Sequence, residues 1–170
     1  IELYGKNNLK IDVLSHLDIE NYLLGVLPSE MPAAWPSEAL KAQAIVSRSY
    51  ALYIKQFRKK YHYDLDSSIE DQVFELSNIQ RAGGFYQNKL AVALRETRGI
   101  RLEDQDGFAF PAFYHADCAG QTEEPDEVWK NGLVNGTVKD ASCPIGANSH
   151  WKKMVTRREL TQKLISYFKL

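Results

Sequence analysis

The sequence predicts an α+β fold, a single domain over residues 1–170 with a long central helix, further helices and a small, mostly antiparallel sheet. Three observations predict it. Residues 37–57 are apolar over so much of a helical circumference that the segment belongs inside the domain. Short, partly alternating stretches at 8–14 and around 100–114 read as strands. Helical and strand patterns are segregated along the chain rather than alternating, which points away from a parallel α/β sheet. At 170 residues the chain is long enough to bury a real core.

Taken in order, residues 8–14 give the first strand. Asp18 is placed to cap a helix from Ile19 to about Leu27, with Glu20 in its first turn favoured by the helix dipole and Pro28 closing it. The central helix starts at Pro36 or Ser37, because proline is tolerated at a first helical position, and runs to Phe57. Its main stripe is Ala39, Ala42, Val46, Tyr50, Tyr53 and Phe57, widened by Leu40, Ala44, Ala51 and Ile54. A polar connection covers 61–71. A third helix spans 84–98, with Arg95 and Arg98 at its negative end and Gly99 able to terminate it. Strands at 100–103 and 108–114 flank a turn at Asp106-Gly107. Residues 115–150, rich in Gly, Asn, Asp and Pro, are too long for a simple connection and read as a functional loop region. Thr156 and Glu159 have capping-box spacing and open a last helix through Leu160, Leu164 and Phe168.

Twenty-one basic residues against twenty-two acidic ones leave almost no net charge, which argues against nucleic acid gripped through its phosphates. No apolar run approaches the roughly 20 residues of a membrane span, and the N-terminus lacks a signal-peptide pattern. A leader is expected to have been removed.

One carboxylate stands out. Glu30 ends the apolar stretch 22–32, between Pro28 and Pro32 and close to Leu27, Met31 and Trp35. On the segment alone, a solvated glutamate in a proline turn is the simpler reading. If the segment instead folds into a cleft, desolvation raises the pKa, and a carboxylic acid protonated near neutral pH suits general-acid attack on a glycosidic oxygen.

Several blocks sharpen the choice: Gly25-Val26 with Glu30-Met31-Pro32, then 38–51, Asp71-Gln72-Val73-Phe74, 91–99 and Phe113-Tyr114-His115 through Thr122. Together they resemble the stage II sporulation protein D family, also called the amidase-enhancer domain family, from about Leu9 to the last helix. The resemblance implies peptidoglycan chemistry. Characterised members are lytic transglycosylases that cut between N-acetylmuramic acid and N-acetylglucosamine and leave a 1,6-anhydromuramic end. Others are described as enhancers of wall amidases. The implied catalytic residue is Glu30. The implied setting is the cell envelope, periplasmic or secreted, with glycan strands and a wall amidase or envelope protein as partners. No cofactor is implied.

The resemblance also points to supporting residues. His115 stands where the family has a histidine before a Gly-Gly-x-Thr loop; Gly120 and Thr122 match that loop, and Ala119 replaces the first glycine. His115 would contact glycan or orient Glu30, or else serve as a structural cap. Gln72 would donate to a sugar hydroxyl or acetamide. Arg48 and Tyr50 would face the cleft, with burial and helix pairing as the alternative, and Trp35 would stack on a sugar face. Trp129 and Trp151 are assigned to packing. Asp117 would favour glucosamine with a free ammonium, or be a solvated loop aspartate.

Some relatives bind zinc through Cys and His after the long helix, but residues 66–72 hold no cysteine, so no metal is assigned there. Cys118 and Cys143 admit three readings: a disulfide closing the loop, if the protein works outside the cytoplasm; free thiols; or a zinc set with His115 and His150, whose spacing matches no standard module.

Overall fold

The structure is a computed structural model that describes residues 1–6, 10–80, 85–129, 136–143 and 152–168. Asn8, Leu9, Gly84, His150 and Trp151, all part of the expectations above, lie outside the described residues. The chain divides into two compact units, Ile1–Tyr114 and His115–Leu170.

The first unit opens on an antiparallel hairpin of β1 (Glu2–Lys6) and β2 (Lys10–Leu14), with Leu3 opposite Val13 and Tyr4 opposite Asp12. β2 matches the expected strand. β1 was not expected, because its five residues, Glu-Leu-Tyr-Gly-Lys, do not alternate apolar and polar. One hairpin face holds the connection that follows the central helix: Tyr4 stacks on His62 at 4.5 Å, and His62 Nε2 lies 3.1 Å from Asp12 Oδ2.

Helix α1 (Ile19–Glu30) begins as expected, with Asp18 Oδ1 accepting from the Glu20 and Asn21 N–H groups. It does not stop at Pro28. The helix runs on to Glu30, and the Met31 N–H donates to the Leu27 carbonyl at 3.0 Å. A proline removes one donor, but Leu23, Val26 and Leu27 are fully buried, and their packing holds the last turn against that loss. Glu30 is therefore the C-terminal residue of a helix, not part of a proline turn.

Helix α2 (Ser37–Phe57) has the expected bounds, but its buried face is rotated from the main stripe. Leu40, Ala44, Ser47, Arg48 and Ala51 are buried, while Ala42 and Phe57 are exposed. A buried arginine and serine lie on that face, and an apolar count does not register them. The short helix α3 (Leu76–Gln80) was not expected. Helix α4 (Phe85–Glu96) was, and Gly99 follows it at φ 74°, the left-handed conformation that glycine takes without a Cβ penalty. Leu23 and Leu27 of α1, Leu40 and Ala44 of α2, and Leu90, Ala93 and Leu94 of α4 form the core.

The strands expected at 100–103 and 108–114 reduce to one bridge, Glu103 to Ala109, around a turn with Gly107 at φ 81°. Beyond it Pro111 supplies no N–H, and the Ala112 and Phe113 N–H groups turn back to Phe110 and Pro111. The chain leaves the hairpin there and reaches Tyr114.

The second unit holds a bridge between Gln121 and Lys139, a short helix α5 (Pro125–Trp129) and helix α6 (Arg157–Phe168). The capping box forms as expected: the Thr156 N–H donates to Glu159 at 2.8 Å, and the Glu159 N–H donates to the Thr156 hydroxyl at 3.2 Å. Leu160 and Leu164 are about half exposed. Among the described residues no helix is long and apolar enough to cross a membrane.

Candidate functional site

Helix α1 delivers Glu30 half-buried at its C-terminal end. Burial pushes its pKa above the usual carboxylate value; hydrogen bonding from the Tyr114 hydroxyl and the Val73 backbone N–H pulls the other way. The helix dipole places its negative end here and also favours the protonated form.

Beneath the carboxyl lies a polar platform. Gln72 is 1% exposed, and its amide is fully engaged. Its Nε2 donates to the Tyr114 hydroxyl at 3.1 Å and to the Ser47 carbonyl at 3.4 Å, and its Oε1 accepts from the Tyr22 hydroxyl at 3.2 Å. This corrects the expectation that Gln72 donates to a sugar: it ties α1, α2 and Tyr114 together from inside. Burial pushes the Tyr114 phenol up to about 12 and raises Tyr22 and Tyr50 as well, so all three are neutral hydroxyls at physiological pH. Tyr50 is half-buried, with its ring edge-on to Phe113 at 5.9 Å.

The segment bearing Gln72 and Val73 is clamped twice. Asp71, whose side chain is 2% exposed, pairs with Arg58 and accepts the Asp66 N–H at 2.6 Å. Phe74 lies against Gly25 of α1, so a Cβ at position 25 would come closer to the Phe74 ring than side chains ever pack. Phe74 also stacks on Tyr22 at 5.6 Å, and the Gly25 carbonyl accepts the Glu75 N–H at 3.2 Å. The glycine is required by close approach.

Arg48 does not face a cleft. It is 1% exposed and forms a two-pronged pair with Glu20, Nε to Oε1 at 3.0 Å and Nη2 to Oε2 at 2.7 Å, while Nη1 donates to the Ile100 carbonyl at 2.9 Å. Its role is to join α2 to α1. Trp35 follows α1 and is 49% exposed, so its ring is open to a ligand.

The remaining expected residues belong to the second unit. His115 is exposed. Asp117 Oδ1 accepts the Ala119 N–H at 2.8 Å, which makes it a turn-forming residue. Ala119 takes φ 48° where the family has glycine, and Gly120 takes φ 98°. The Thr122 hydroxyl accepts the Val138 N–H at 2.8 Å, and the Thr122 N–H donates to the Val138 carbonyl at 2.9 Å, so this side chain too holds the loop. Cys118 and Cys143 are free thiols rather than a bridge. The Cys118 thiol is pushed up first by its hydrogen bond with Cys143. Of the four zinc ligands considered, the structure groups the two cysteines with Asp140 instead of His115, and His150 lies outside the described residues.

The residues that the sequence reading missed are Tyr114, Tyr22, Ser47 and the Val73 N–H. Tyr114 precedes His115 in the same block and could have been flagged as a polar aromatic at a strand end. The other three had no local signal.

A family model described as Stage II sporulation protein (SpoIID) matches residues 7–103. An uncharacterized protein of Brachyspira hyodysenteriae is 31% identical over 98% of this chain and 45% of its own length. The protein named Amidase enhancer of Bacillus subtilis is 30% identical over 86% of this chain and 19% of its own. Stage II sporulation protein D of Bacillus subtilis is 26% identical over 96% and 50%. The chain thus spans half or less of the length of these relatives. No solved structure matches it.

Proposed function

The chain belongs to the stage II sporulation protein D family, and on that footing we propose that it is a peptidoglycan lytic transglycosylase of the cell envelope, periplasmic or secreted, with Glu30 as its single general acid and base. Glu30, protonated, gives its proton to the oxygen leaving N-acetylmuramic C1. The resulting carboxylate accepts the proton of the muramic C6 hydroxyl as that oxygen closes on C1 to form the 1,6-anhydro ring. The nucleophile is built into the substrate, so one carboxyl suffices and proximity supplies much of the rate.

The observation that carries this reading is the half-buried carboxyl of Glu30, whose pKa burial raises in a surround of neutral hydroxyls. Burial of this kind moves the balance toward the protonated form that a general acid needs. Hydrolysis with two carboxylates requires a second free one, whereas Asp71, whose charge is felt by Tyr22 and Tyr50, is tied to Arg58 and the Asp66 N–H. In this reading Tyr114 steadies the carboxylate, and Tyr50 and Trp35 meet the glycan.

A second reading, a peptidoglycan-binding module that stimulates a wall amidase, is favoured by the 30% identity to the Amidase enhancer. Digestion of purified sacculi with wild type and Glu30→Gln separates the two. Anhydromuramic products from wild type alone support the enzyme. No such products from wild type, with glycan binding kept in both, overturns it in favour of the module.

A further inference from the structure

The second unit gathers three metal-ligating groups that the glycan chemistry does not use. The sulfurs of Cys118 and Cys143 and a carboxylate oxygen of Asp140 all lie within 4.8 Å of one another. A tetrahedral zinc ion with bonds near 2.3 Å to sulfur spaces two thiolates by about 3.8 Å, so small side-chain rotations close the set.

The backbone holds the cysteines together although they are far apart in sequence. The Asp140 N–H donates to the Gly120 carbonyl at 2.9 Å, the Gln121 N–H to the Cys118 carbonyl at 3.0 Å, and the Cys143 N–H to the Asp140 carbonyl at 3.3 Å. Asp140 is itself oriented, since its Oδ1 accepts from the Ser142 N–H at 2.9 Å and the Ser142 hydroxyl at 2.5 Å. Ligating carboxylates are typically held by such outer hydrogen bonds. Both thiols are only partly buried and Asp140 is exposed, so an ion can enter from solvent. A disulfide needs two sulfurs and gives an oriented third donor nothing to do.

We propose that Cys118, Cys143 and Asp140 form a binding site for a thiophilic divalent cation of the zinc class, its fourth position open to water or to Asp117, whose Oδ1 lies 3.6 Å from the Cys143 sulfur. Each thiol loses its proton to solvent as its bond to the metal forms. The ion clips the turn at 117–120 to the segment at 140–143.

The test titrates the reduced chain with zinc against a chromophoric chelator, and with cobalt(II) as a spectroscopic probe. One equivalent of zinc taken from the chelator, with a thiolate-to-cobalt charge-transfer band, supports the site. Cys118→Ser and Cys143→Ser should each weaken that band and release the zinc. Asp140→Asn keeps both thiols, so it should keep the band while weakening zinc binding at least about 10-fold, the lower end of what losing even an outer partner costs. Far-ultraviolet circular dichroism shows that each variant is folded. A reduced chain that leaves zinc with the chelator, or that binds it equally well without either thiol, overturns the proposal. So does a chain whose two cysteines bridge on reoxidation despite excess zinc.

Discussion

Helix α1 carries a glutamate at each end, and the two have opposite company. Glu20, in the first turn, meets the positive end of the helix dipole and the buried guanidinium of Arg48. Glu30, in the last turn, meets the negative end and only neutral donors, the Tyr114 hydroxyl and the Val73 N–H. One is paired with a buried cation, and the other has its charged form disfavoured by burial. Helix α1 thus gives one residue type two environments by placing the two carboxyls about 15 Å apart along its axis, at about 1.5 Å per residue.

The comparison breaks most visibly when each glutamate is removed in turn. Glu30→Gln should lower turnover on sacculi about 10²–10⁴-fold, the span ascribed to a positioned general acid. It should also raise the melting temperature at neutral pH. A carboxyl whose pKa is raised in the folded state contributes its stability below the unfolded value, and that contribution is lost as pH rises through the folded value. At pH 7 wild type therefore carries a penalty that glutamine lacks, and the two melting temperatures should converge as pH falls toward 4. Divergence on acidification would contradict the burial of Glu30.

Glu20→Leu should do the reverse. It strands Arg48, 1% exposed, and breaking a buried pair from one side costs about 3–5 kcal/mol. A melting temperature lower by about 10 °C is expected for a chain of this size, with the pH profile of turnover unchanged in molecules that remain folded. Adding Arg48→Met should recover much of the loss.

This contrast was only half legible in the sequence. Glu30, the Asp18 cap, the bounds of α2, Gly99 and the Thr156–Glu159 box announce themselves through neighbours one to four residues away. Tyr22, Gln72 and Tyr114 meet only after the chain folds, and Gln72 looks like a surface donor until its partners are known. Arg48 could be read only as a choice between a cleft face and helix pairing, because its partner Glu20 is 28 positions away. Pro28 misled in the opposite direction: a strong local stop signal lost to the packing of its buried neighbours. Local chemistry could be read in advance, while polar contacts across elements could not.

The support beneath Glu30 can be tested at Gly25. Alanine there improves intrinsic helix stability by about 0.5–1 kcal/mol, but its Cβ would collide with the Phe74 ring. Overpacking of that kind costs about 1–3 kcal/mol, so Gly25→Ala should be net destabilising and should displace the Val73 N–H from Glu30. Turnover should fall more than the melting temperature alone would explain. Gly25→Ala with Phe74→Ala removes the collision and should recover stability without recovering turnover. If Gly25→Ala is silent in both measurements, the close approach is not holding the segment.

The smallest effect asked of the comparison is the sharpest test of how Glu30 is tuned. Tyr114→Phe deletes a donor to the Glu30 carboxylate but keeps the ring. That donor lowers the carboxyl's pKa against the effect of burial, so its loss should raise the pKa further and move the basic limb of the turnover profile to higher pH. The rate at the optimum should fall about 10-fold, near the lower value of a hydrogen bond to a charged group. Gln72 keeps the Ser47 carbonyl as an acceptor for its amide, so stability should change by no more than about 1 kcal/mol. A tyrosine that only packs would move the melting temperature and leave the basic limb in place. A limb that moves while the melting temperature holds assigns the hydroxyl to the proton of the Glu30 carboxyl.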